Sequence, residues 1–157
     1  MHLDRPTLAK LFGEGFELTV KAPLSQPGQF ASEQKVDLVG PKRSIKGVRI
    51  LGPLRNKNQI KISRTDEFFL GVDAPVRASG DTRNTPGVTL VGPEGTLKLD
   101  RGLICAWRHI HMTPEDAEYY GVADRDIVEV AVDSEGRDRV FGDVMVRVSP
   151  KYATEMH

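Results

Sequence analysis

The sequence contains one cysteine, Cys105, one tryptophan, and few aromatics at 6% of 157 residues. A lone cysteine cannot close an internal disulfide, which excludes a disulfide scaffold and fits a reducing cytosol. Lysine plus arginine (22) balance aspartate plus glutamate (22), for a formal net charge of zero. No whole-molecule field therefore draws nucleic acid or an anionic membrane, although a local basic pocket stays compatible. No apolar run approaches ~18 residues, so no spanning helix is predicted. The start, "MHLDRPTLAKLF", lacks a basic stretch followed by an apolar one and is not read as a secretion signal. These absences leave a chain of one compact unit or two small ones, predicted to be cytoplasmic.

Glycine (15) and proline (10) are plentiful, and they punctuate many short Val/Ile/Leu runs. "KVDLVG", "GVRILG", "QIKIS", "VTLVG", "TLKLD", "GLICAW", "DIVEVAV" and "DVMVRV" each read as a strand ending at a turn residue, with "FELTVKAPL" a further candidate. Even spacing of short strands predicts a mainly β fold of small barrels rather than βαβ units. Two short helices are predicted. "RPTLAKLFG" (5–13) has proline in its first turn and glycine after its end, and "TPEDAEYYG" (113–121) has Thr113 as N-cap, Pro114 at the first helical position and Gly121 as stop.

Two internal echoes stand out. "HLDRPTLAKLFG" (2–13) parallels "HMTPEDAEYYG" (111–121), and "VDLVGP" (36–41) parallels "VTLVGP" (88–93). They predict two related β-modules, residues 1–106 and 107–157, the second completed by N-terminal residues.

The chain has four histidines, His2, His109, His111 and His157, two of them in "CAWRHIHM". On a strand, positions i and i+2 share a face, so His109 and His111 can serve one ion, and imidazole suits zinc. His2 is the echo partner of His111. A cupin would need a second histidine motif after a P-x-G turn, and "FGDVMVRVSPKY" has none. Basic residues gather from Lys42 to Lys57. Among them Arg55 follows a tight turn, where a guanidinium can grip an oxyanion bidentately. Arg108 is a weaker candidate, since it alternates away from His109. Cys105 lies in an apolar strand with no adjacent base and reads as structural.

Taken in order, "LFGEGFELT", "LSQPGQFA", "LVGPK", "VRILGPLR", "SRTD", "PVRASGD", "RHIHMTPEDAEYYGV" and "EMH" resemble the PduL-type phosphate acyltransferases (phosphotransacylases, phosphate propanoyltransferases) over essentially the whole chain. The resemblance implies two β-barrels with a zinc site between them. It implies interconversion of acyl-CoA (propanoyl or acetyl) plus phosphate with acyl phosphate plus coenzyme A. It also implies partners among copies of the chain or the enzymes of a bacterial microcompartment, such as one for propanediol degradation. His109, His111 and His157 match the histidines that hold one zinc. His2 matches the second histidine of an N-terminal H-x-H that helps hold another, so one or two ions are implied. Arg55 matches the arginine that contacts phosphate, and Lys42 and Arg49 match positions near the coenzyme A phosphates. One departure bears on the second ion. Where the family usually carries a glutamate ligand, in a strand reading "QVEIS", this chain has Lys61, whose ammonium repels a divalent cation. That departure motivates an alternative, a non-catalytic relative that binds coenzyme A or acts as a scaffold. A metal-dependent hydrolase is a third reading.

Overall fold

A computed structural model describes residues 1–157. The chain is mainly β with three short helices, and it divides into two compact units. Unit 1 comprises Met1–Leu24 and Gly28–Ala106; unit 2 comprises Ser25–Pro27 and Trp107–His157. The strands form three sheets of five, four and three strands, none of them a closed barrel.

Unit 1 begins with α1 (Arg5–Phe12). Asp4 caps it by accepting from Thr7 N, proline sits in the first turn, and Gly13 ends it at a positive φ of 99°. Its apolar spacing turns Leu8 and Leu11 inward, and both are fully buried. Each such leucine contributes about 1.5–3 kcal/mol of burial. Strands β1 (Val20–Pro23), β2 (Phe30–Val39), β3 (Ser44–Gly52), β6 (Thr89–Val91) and β7 (Thr96–Lys98) make the five-stranded sheet. Between them come β4 (Ile60–Ile62), α2 (Arg64–Leu70) and β5 (Val76–Arg77). β4 and β5 pair in parallel with β8 (Leu103–Ala106). The core of this unit is broad, with Leu3, Leu38, Ile50, Ile60, Leu90 and Leu103 essentially inaccessible.

The two copies of the "LVGP" echo are neighbours in the fold. Both copies lie in unit 1, where β2 and β6 are antiparallel neighbours with Leu38 opposite Leu90. What they share is a packing duty. Each turn receives the C-terminal end of a helix: Lys42 N donates to Leu70 O of α2 at 3.0 Å, and Glu94 N donates to Leu11 O of α1 at 3.0 Å. These bonds satisfy carbonyls that a helix end otherwise leaves orphaned. A Cβ on Gly40 would stand 2.8 Å from Leu70 Cβ, and one on Gly92 would stand 2.8 Å from Leu11 Cβ. The repeated glycine makes room for the helix end in both places.

Unit 2 is built on β9 (His109–Met112), α3 (Pro114–Tyr120), β10 (Ile127–Val132), β11 (Arg139–Val148) and β12 (Glu155–Met156). Its strand order is β10-β11-β9-β12. β9 runs parallel to β11 and antiparallel to β12. Thr113 caps α3 by accepting from Asp116 N, and Gly121 ends it in the left-handed region. The buried apolar cluster is small: Met112, Ala117 and Val146.

Candidate functional site

In unit 2, the last strand assembles the histidines. Glu155 stands opposite His111 and Met156 opposite Ile110. One step further, His109 N donates to His157 O at 2.9 Å and His157 N donates to His109 O at 2.7 Å. Residues opposed in an antiparallel pair share a face, and the face alternates along each strand. His109, His111, Glu155 and His157 therefore project to one side. Ile110 and Met156 project to the other, where with Met112, Val128 and Val146 they line an apolar groove of about 640 Å³. The ring centroids are 4.9 Å apart for His109–His111, 5.3 Å for His109–His157 and 4.9 Å for His111–His157.

The rings have orienting neighbours. His109 is buried, and its Nδ1 lies 2.7 Å from Trp107 O. A carbonyl only accepts, so Nδ1 carries the hydrogen and Nε2 keeps the lone pair. His111, also buried, stacks on Tyr152 at 4.2 Å and 12°, and the Arg147 guanidinium lies 5.7 Å from the far ring. His157 Nε2 lies 3.1 Å from a Glu155 carboxylate oxygen. Glu155 also accepts from Ser25 Oγ and from Gln26 Nε2, and these bonds hold its carboxyl below the usual carboxylate range. Sequence reasoning missed Glu155 and Tyr152. The signal for Glu155 was present, since it stands two residues before His157, but only once 155–157 is known to be extended. No group of three or more His, Cys, Asp or Glu side chains has its donor atoms already converged as a metal cage.

The remaining expected site residues belong to unit 1. Arg55 is half-buried; its backbone N donates to Leu3 O at 2.9 Å and its Nη2 donates to Gln29 Oε1 at 3.4 Å. His2 forms a β-bridge with Gln59 and is buried, with Nδ1 lacking a hydrogen-bond partner. Burial first, then the positive charges of Arg55, the Met1 amine and Lys61, push its pKa down to about 3. Lys42 is exposed on the turn before β3. Its stem crosses Gly71, and its ammonium lies 5.1 Å over the Phe68 ring. Arg43 stands in the same relation to Phe69, and the four residues line a pocket of about 410 Å³. Arg49 lies on β3, where it donates to Ser32 O and approaches Glu33 at 3.9 Å. Arg108 is exposed just before β9, as its alternation with His109 predicts. Cys105 is buried, its thiol donates to Ile62 O at 3.3 Å, and burial pushes its pKa up. Those features suit packing rather than nucleophilic attack.

A family model described as phosphate propanoyltransferase matches residues 1–157. A phosphate propanoyltransferase of Thermotoga maritima is 54% identical over all of this chain and 75% of its own length. Those of Listeria monocytogenes and Salmonella typhimurium are 50% and 48% identical, again over the whole chain and 73% and 74% of their own lengths. Matches of this extent define an enzyme of the acyltransferase class. The chain belongs to the phosphate propanoyltransferase family. No helix of the chain is long and apolar enough to cross a membrane.

Proposed function

We propose that the chain transfers an acyl group, propanoyl or acetyl, between coenzyme A and inorganic phosphate, with zinc held by His109, His111 and His157. The observation that carries the zinc reading is the pairing of β12 with β9, which sets three imidazoles on one face. The donor set fits zinc: three nitrogens, two of them on buried rings, with the lone pair of His109 already assigned to Nε2. The His2 neighbourhood does not fit a second divalent ion, because Arg55 and Lys61 already place positive charge on it.

In this reading Arg55, steadied by Gln29, neutralises and aims phosphate. Lys42 and Arg49 receive the coenzyme A phosphates, with Lys42 held against α2. A phosphate oxygen attacks the acyl carbon directly, the carbon–sulfur bond breaks, and coenzyme A leaves as thiolate. No acyl-cysteine forms. Zinc, when bound, supplies Lewis acidity toward phosphate or the thioester carbonyl. The same proposal takes the two units as the family's two β-barrel modules, 1–106 and 107–157, the second joined by N-terminal residues. It takes the chain as cytoplasmic or resident in a microcompartment, and as associating with its own copies or with microcompartment enzymes.

The test is release of coenzyme A from propanoyl-CoA by protein whose zinc has been counted. Release that needs phosphate and stops with a chelator is expected. Release that proceeds without phosphate overturns the acyl acceptor, and undiminished release from metal-free protein overturns the zinc.

A further inference from the structure

We infer that Glu155 is the positioning residue of His157, an assignment that rests on the zinc reading above. An ionised carboxylate only accepts, so at 3.1 Å the Nε2 of His157 carries the hydrogen and Nδ1 keeps the lone pair. Without a partner, the His157 imidazole would exchange tautomers and rotate. Glu155 removes that freedom only if it is itself held, and it is. Ser25 Oγ and Gln26 Nε2 both donate to it, the latter at 3.1 Å. Gln26 is buried, and it also donates to Ala153 O at 2.9 Å and accepts from Ala153 N at 3.4 Å. The segment Ser25–Pro27 thus clamps the approach to β12 and anchors the carboxylate in one arrangement. A carboxylate on the far nitrogen of an imidazole fixes ring and tautomer and strengthens the near nitrogen as a donor. His109 receives the same service from the Trp107 carbonyl, through its other nitrogen. Glu155 adds a negative charge that the carbonyl lacks.

The experiment compares wild type, Glu155→Gln and Ser25→Ala by zinc stoichiometry, by competition with a chromophoric chelator, and by thermal unfolding of the metal-free proteins. Wild type is expected to bind one zinc per chain. Glu155→Gln is expected to hold zinc about 10–100-fold more weakly, with metal-free unfolding unchanged. Ser25→Ala leaves both Glu155 and His157 in place and is expected to weaken zinc by a smaller factor; it carries the test if Glu155→Gln does not fold. Glu155→Asp, which retains the charge, is expected to recover part of the loss. Wild-type zinc affinity in both Glu155→Gln and Ser25→Ala overturns the inference while leaving the zinc reading intact. A wild type that binds no zinc removes the zinc reading and the inference with it.

Discussion

Single residues divide sharply by what surrounds them. Arg55 is tied at its backbone to Leu3 and at its guanidinium to Gln29, so its charge is delivered at a fixed place. Arg55→Ala is expected to lower phosphate-dependent turnover at least 100-fold, the order lost when a transition-state donor is removed, with the fold intact by circular dichroism. Cys105→Ser is expected to retain turnover within about threefold and to cost about 1–2 kcal/mol of stability, because a hydroxyl replaces a buried, weakly polar thiol. A trapped acyl-enzyme that disappears in the serine variant would contradict this. The types and positions of these residues were legible in the sequence: the histidine spacing pointed to one face, and the apolar setting of Cys105 pointed to a structural role. The orienting partners were not. Gln29, Tyr152, Ser25 and Gln26 act through contacts that only the folded chain makes.

At the level of elements, legibility followed the caps. α1 and α3 carry an oxygen-bearing N-cap, an early proline and a terminal glycine, and both stand where expected. α2 was overlooked although Ser63 and Asp66 form a capping box and Gly71 ends it. Its seven residues bury only Glu67 and Leu70, while Phe68 is 79% exposed and Phe69 40%, so no apolar stripe announces it. β12 has two residues and hence no pattern; its partner is distant in sequence. The glycines of the two "LVGP" turns give a direct test. Gly40→Ala and Gly92→Ala each force a methyl group onto a helix end and are expected to cost about 1–3 kcal/mol in denaturant unfolding. Glu67 gives a second. It accepts from Arg64 Nη1 at 2.7 Å and from Ala74 N at 3.1 Å. The Arg64 bond, the largest cause, holds its pKa below the usual 4.5. A depressed folded pKa stabilises above the unfolded value and is lost as pH falls through the folded one. Glu67→Gln is therefore expected to flatten the decline of stability below pH 4.5, and a decline as steep as wild type would refute this role.

Over the whole molecule, the two units differ in how much core each owns. Unit 1 buries a broad apolar cluster, whereas the cluster of unit 2 has three buried members. Amide exchange is expected to be slowest along β2 and β3 and faster throughout β10 and β11, with zinc slowing β9 and β12. Equal protection in both units would argue against it. The mainly β character was readable from strand spacing. The three-residue visit of Ser25–Pro27 to unit 2 was not, because it depends on side chains meeting β12 rather than on any local pattern. The pairing of His109 with His157 also sets a timetable. Residue 109 leaves the ribosome well before residue 157, and until the latter emerges β9 lacks its antiparallel neighbour and the triad its third ring. A nascent chain stalled short of this point carries the residues of unit 1 and two histidines of the triad with no third. The histidine triad thus closes only after residue 157 has been made.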